Sequence, residues 1–138
     1  DTWEILIRFH RASTRAMDEN LRRGFGYTLD DYDVLHQINR HAGPIRMGEL
    51  ANQLLFANSS CNRLVGKLVE AGLVARHVDQ ADRRVVLVHL TTEGKRLRRR
   101  MAATHTRDIR RHVGAPLEAA AHEALTAALE QLNDATER

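Results

Sequence analysis

Cysteine occurs once in the 138 residues, at Cys61, so the chain can close no disulfide of its own and a reducing compartment is expected. Proline occurs twice, and both copies sit where a helix should stop, in Gly43-Pro44 and in Gly114-Ala115-Pro116. Aromatic residues make up only 4% of the chain. No apolar run approaches the ~18 residues of a membrane span, and Asp1-Thr2-Trp3-Glu4 lacks the basic start of a signal peptide. These absences predict a cytoplasmic protein. Catalytic signatures are missing as well: there is no G-x-S-x-G, no H-E-x-x-H, no glycine-rich phosphate loop and no Cys-His pair in a recognisable context. An enzyme is therefore not expected, and neither is a cofactor.

What the chain has is a modest excess of positive charge, +3 at neutral pH. A basic balance favours polyanionic partners. The length suits one domain spanning 1–138.

The organising stretch runs from Met47 to Leu90, where a short helix, a turn, a longer helix and a basic hairpin follow one another. That is the order of a winged helix-turn-helix. The longer helix, about Asn58 to Ala71, carries Cys61, Leu64, Val65 and Leu68 at i, i+3, i+4 and i+7, an inward apolar stripe. Its outward side then holds Ser59, Arg63, Gly66, Lys67 and Glu70, flanked by Ser60 and Asn62. A DNA major groove admits one helix, and the first turn of that helix reaches the base edges. Arg63 and Asn62 match guanine and adenine, and Ser59, Ser60 and Asn58 suit bases or phosphate oxygens. The plain alternative is an ordinary solvated helix face. Leu73 to Val78 and Val85 to Leu90 read as strands, and the turn between them ends in Asp82-Arg83-Arg84. Adjacent arginines repel unless something neutralises them, and a narrow minor groove does so. Asp82 is placed to grip one guanidinium in a charge-assisted fork. With Arg63, Lys67 and Arg76, the pair Arg83 and Arg84 clusters basic charge on one face.

These residues resemble the MarR (multiple antibiotic resistance regulator) family of bacterial transcription factors. Leu29-Asp30-Asp31-Tyr32-Asp33-Val34-Leu35 is similar to the family's second helix, Met47-Gly48-Glu49-Leu50-Ala51 to its third, and Arg63-Leu64-Val65 with Leu68 and Ala71-Gly72-Leu73-Val74 to its recognition helix and exit. Asp82-Arg83-Arg84, Val85 to Leu90 and Thr91-Thr92-Glu93-Gly94 resemble the wing and the start of the fifth helix. The resemblance implies that Arg84 enters the minor groove, that Asp82 orients it and that Arg83 contacts a phosphate. It further implies a repressor that binds double-stranded DNA at a pseudo-palindromic operator and is released by a small phenolic or lipophilic effector. The effector pocket would draw on Phe9, His10, Met17, Tyr32 and His36, each of which also reads as plain core. The chain departs from the pattern at Ala57, where a capping Asp or Ser is usual, at Asn62, and at Gly66 and Val69, which replace common acids. Helix-interior Gly66 costs about 1 kcal/mol against alanine unless something must approach the backbone there, such as a phosphate.

In chain order, Thr2 is expected to cap a first helix to about Arg23, and Thr28, with Asp31, a second ending near His41. Thr91 opens a fifth helix to about Val113, and a sixth runs from Leu117 to about Thr136. The expected fold is mainly α: about six helices plus a two- or three-stranded wing. The DNA-binding lobe would occupy 28–90. Helices 1–24 and 92–138 would form the dimerisation region, because the Leu117, Ala121, Leu125 and Leu132 seam of the last helix needs a cover. A homodimer follows.

Three features admit other readings. Cys61 lies in the first turns of the recognition helix, where a helix dipole activates thiols, yet it falls on the inward stripe, where free cysteine packs as a small hydrophobe. His105, Asp108 and His112 share a helix face, but no further Cys or Glu completes a metal site. The arginines at 98–100 read as solvated surface, with phosphate contact or an intersubunit pair as the alternatives. The alternatives to an effector-released repressor are a thiol- or metal-responsive regulator of the same fold and a dimeric protein-interaction module without DNA binding.

Overall fold

The computed structural model describes residues 1–56 and 58–138, with the backbone alone at residue 58. The expected cap position Ala57 and the side chain of Asn58 therefore lie outside the described residues. The chain forms two compact units, Asp1–Thr104 and His105–Arg138.

The first unit opens with α1 (Thr2–Phe25), whose N-terminus is capped by Asp1, not by Thr2 as expected: the Asp1 carboxylate accepts the Glu4 N–H at 2.9 Å. Gly26, at φ 76°, closes it in the left-handed conformation. Next comes α2 (Leu29–Arg40), set by the expected capping box. Asp31 N–H donates to Thr28 Oγ1 at 3.0 Å and Thr28 N–H to Asp31 Oδ2 at 2.8 Å. Two residues of β1 (Ile45–Arg46) lead into α3 (Met47–Gln53). The second helix of the pair starts later than its sequence pattern predicts. Asn58–Ser60 is a tight 3₁₀ turn and α4 spans Cys61–Glu70, a common way for an α-helix to begin.

Strands β2 (Val74–Val78) and β3 (Val86–Leu90) form the hairpin, and β1 joins β3 to make a three-stranded antiparallel sheet of order β1-β3-β2. Ile45 pairs with Val88 and Val74 with Leu90, which puts these four on one buried face. Leu21, Val34, Leu35, Leu50, Val65, Leu68 and Met101 complete the core from the helices.

The start of α5 (Thr92–Ile109) is tied to the base of the hairpin. Thr91 Oγ1 accepts the Gly94 N–H at 3.0 Å and donates to the Gly72 carbonyl at 2.7 Å, and the Thr91 N–H donates to the Leu73 carbonyl at 3.1 Å. Gly94 is required there, since a Cβ would lie 1.9 Å from the Leu73 carbonyl oxygen.

The second unit holds the end of α5, a π-helical turn over Arg110–Gly114 where continuous α-helix to Val113 was expected, and α6 (Ala119–Thr136). None of the described side chains of α6 is buried, and Leu125 and Leu132 are exposed.

Candidate nucleic-acid interface

The inward stripe of α4 is as the 3.6-residue period requires: Cys61, Leu64, Val65 and Leu68 are all buried. Ser59, Asn62, Arg63, Lys67 and Glu70 are exposed, and Ser60 and Gly66 are half-buried. Burial pushes the Cys61 thiol up from its ordinary range, opposite to what a reactive thiolate needs.

Lys67 is not a free cation. Its Nζ lies 2.6 Å from Asp31 Oδ2, a carboxylate with no exposed surface, and 5.7 Å from the centre of the Tyr27 ring. A second buried acid of α2, Asp33, reaches the turn after α3. Its Oδ2 accepts the N–H of Leu55 at 2.7 Å and of Phe56 at 3.1 Å. Neither role is visible in the helical period of α2, which marks Asp31 and Asp33 only as polar.

The hairpin turn is built from its own acids. Asp79 Oδ1 accepts the Ala81 N–H at 3.0 Å, and the Asp79 N–H donates to the Val85 carbonyl at 2.9 Å. Asp82 grips Arg84, the arginine that the family resemblance implies: Oδ1 accepts the Arg84 backbone N–H and Nε–H, each at 3.1 Å, and Oδ2 accepts from Nη2 at 3.3 Å. The guanidinium side chain is nevertheless 91% exposed. Those hydrogen bonds hold the Asp82 carboxyl below its ordinary range. Arg83, next to it, is also exposed. Between α4 and the hairpin runs a groove lined by Asn62 and Arg76 together with Met47, Val78 and Val86. Asn62, Arg63, Arg76, Arg83 and Arg84 are thus carried by adjoining elements of one unit.

The five residues read as a pocket divide. Met17 and Tyr32 belong to the buried core. Tyr32 stacks on His36 with ring centres 5.5 Å apart. Phe9 is exposed on α1, and His10 lines an open groove with Arg11, Asp18, Leu29 and Phe56. Arg98, read as solvated, is half-buried instead, and its charge, after burial itself, helps lower the His36 pKa. Arg100 covers the Phe25 ring at 5.4 Å, leaving Arg99 as the most plainly solvated member of that run. Among the described residues no three of His, Cys, Asp and Glu gather as a metal site.

Comparison with known proteins agrees with this architecture. A family model described as the MarR family matches residues 25–85. The chain is 36% identical over 93 residues to the HTH-type transcriptional regulator YcgE of Bacillus subtilis, covering 67% of this chain and 54% of that one. It spans about half the length of the curated relatives it matches. Among solved structures it is similar to AbsC, a MarR family transcriptional regulator from Streptomyces coelicolor, with a TM-score of 0.88 and 26% identity over 99% of this chain and 92% of that one. It is also similar to Sco3205 of the same organism, solved in complex with DNA, with a TM-score of 0.89 and 24% identity over 97% of this chain and 84% of that one.

Proposed function

The chain belongs to the MarR family, and from that premise we propose that it is a DNA-binding transcriptional regulator, a repressor acting as a homodimer on a pseudo-palindromic operator. The observation that carries this reading is the Asp82–Arg84 fork: a cation gripped by a neighbouring carboxylate yet 91% exposed at the tip of a hairpin. Ordering such a side chain at a surface contributes little to stability, whereas a pre-aimed guanidinium suits a narrow minor groove. Beside it, Arg63, Asn62, Ser60 and Ser59 would meet base edges and phosphates in the major groove, and Arg83 a phosphate. Lys67, engaged by Asp31, would serve the fold more than the DNA. That Sco3205 was solved on DNA supports the same use of the fold.

A second copy would cover the apolar side chains left exposed on the terminal helices, among them Trp3, Ile5 and Phe9 on α1 and Leu125 and Leu132 on α6. Two recognition helices would then enter successive major grooves about 34 Å apart. A small phenolic or lipophilic effector, bound near Tyr32 and His36, would release the DNA by favouring a different spacing of the two lobes. Such a regulator works in the cytoplasm.

Footprinting on promoter DNA tests the reading. A protected, roughly two-fold symmetric stretch is expected. Failure to protect any promoter fragment at low salt would leave the interaction-module alternative standing.

A further inference from the structure

We infer that Asp33 is the positioning residue for sequence recognition, setting the angle at which α4 leaves the turn. This rests on the DNA-binding reading above. The amides of Leu55 and Phe56 follow the end of α3, and both find their acceptor in one carboxylate oxygen of Asp33, 2.7 and 3.1 Å away. Asp33 is only 3% exposed, so these are charge-assisted bonds in a poorly solvated place, among the stronger kind and costly to lose. The carboxylate is held at both oxygens. Its other oxygen accepts Gln37 Nε2 at 3.3 Å, and Gln37 Oε1 in turn accepts Arg40 Nη1 at 3.4 Å. A three-residue chain along α2 therefore ties down Leu55 and Phe56, the first residues of the connection to the reading helix.

The consequence separates two kinds of DNA binding. Phosphate attraction by Arg63, Arg83 and Arg84 depends on charge and tolerates a few degrees of tilt. Matching Asn62 and Arg63 to base edges does not, because a recognition group must be held to about half an ångström by the residues behind it. Asp33 touches no DNA in this arrangement. It governs discrimination through backbone geometry.

The test compares the full chain with Asp33→Asn, which keeps the shape but replaces the anionic acceptor. Two quantities are read: hydrogen exchange at the Leu55 and Phe56 amides without DNA, and Kd for the footprinted operator against a random duplex at one salt concentration. In the folded variant both amides should exchange about tenfold faster and the operator Kd should rise about tenfold, with the random-duplex Kd unchanged. Unchanged exchange, an unchanged operator-to-random ratio, or equal weakening on both duplexes overturns the inference. The last result would mean that Asp33 only supports the fold. If Asp33→Asn does not fold, Gln37→Met leaves the carboxylate but frees its second oxygen, and the ratio should fall by about threefold. Wild-type protein that prefers no duplex would sink the regulator reading and this one with it. Faster Leu55 and Phe56 exchange in the variant would then still mark Asp33 as the holder of the turn.

Discussion

The ammonium of Lys67 on α4 lies 2.6 Å from the fully buried carboxylate of Asp31 on α2. The same carboxylate oxygen accepts the Thr28 N–H of the capping box. One acid thus starts one helix and fastens another. Removing the cation strands a negative charge in the core, and Lys67→Met should destabilise the fold by about 2 kcal/mol, below the value for fully buried pairs because Lys67 is half exposed. Urea denaturation measures this. Wild-type stability in the variant would show that solvent screens the pair.

Arg84 is the complementary case, a cation with nothing to hold up. Arg84→Ala should leave stability within about 0.5 kcal/mol while lowering the slope of log K against log salt by about one. Gel shifts at several salt concentrations read it, and an unchanged slope would remove Arg84 from the interface. The fork also has a pH signature. Because Arg84 depresses the Asp82 pKa from its ordinary 3.8, the fork is fully formed above that value and breaks only as pH falls through the lower folded pKa. Carboxyl NMR titration should place Asp82 below 3.8 in the wild type and move it back up in Arg84→Ala.

Much of this was legible in the sequence, for identifiable reasons. The apolar period of α4 tells which side faces inward, and the closeness of Asp82 to two arginines tells that it can hold one of them, the family resemblance pointing to Arg84. Local patterns of this sort need no knowledge of the rest of the chain. The Asp33 grip on Leu55 and Phe56 and the Asp31–Lys67 pair span 22 and 36 residues, and no local period encodes such contacts. The same limit explains Arg98, whose burial is decided by what packs on α5 and not by its neighbours in the run. The 3₁₀ start of α4 leaves no mark in the apolar stripe, which begins only at Cys61 and says nothing about the winding of the polar Asn58-Ser59-Ser60 before it.

His36 should make stability pH-dependent near neutrality. Its pKa is lowered from 6.5 first by burial, then by Arg98 and Arg40, with Asp33 opposing. The unfolded chain therefore takes up a proton before the folded one. Stability is full above 6.5 and falls as pH drops from there through the folded pKa. His36→Phe keeps a ring against Tyr32 but cannot titrate, so its melting temperature should vary less over that window. Parallel pH profiles for the two proteins would exclude His36 as the source.

Gly94→Ala should be the most damaging single methyl in the chain. The new Cβ would sit 1.9 Å from the Leu73 carbonyl oxygen, and since what it meets is backbone there is no flexible side chain to yield. The Thr91 cap and the hairpin base must separate to admit it, at a cost of about 3 kcal/mol or more. Thermal melting checks this, and a variant as stable as wild type would mean that α5 shifts freely against β2.

Gly66 presents the opposite geometry on α4. A Cβ there would meet nothing within 4 Å among the described residues, so no packing among them calls for glycine in mid-helix. Alanine should stabilise the isolated protein by about 1 kcal/mol through helix propensity alone. If the half-buried outer surface at Gly66 lies against a phosphate, as the proposed docking implies, the added methyl meets DNA and operator affinity falls while stability rises. Thermal melting and gel shifts on Gly66→Ala should therefore move in opposite directions. A variant that is more stable and binds its operator as tightly as wild type would place the DNA backbone away from the middle of α4 and confine the contact to its first turn.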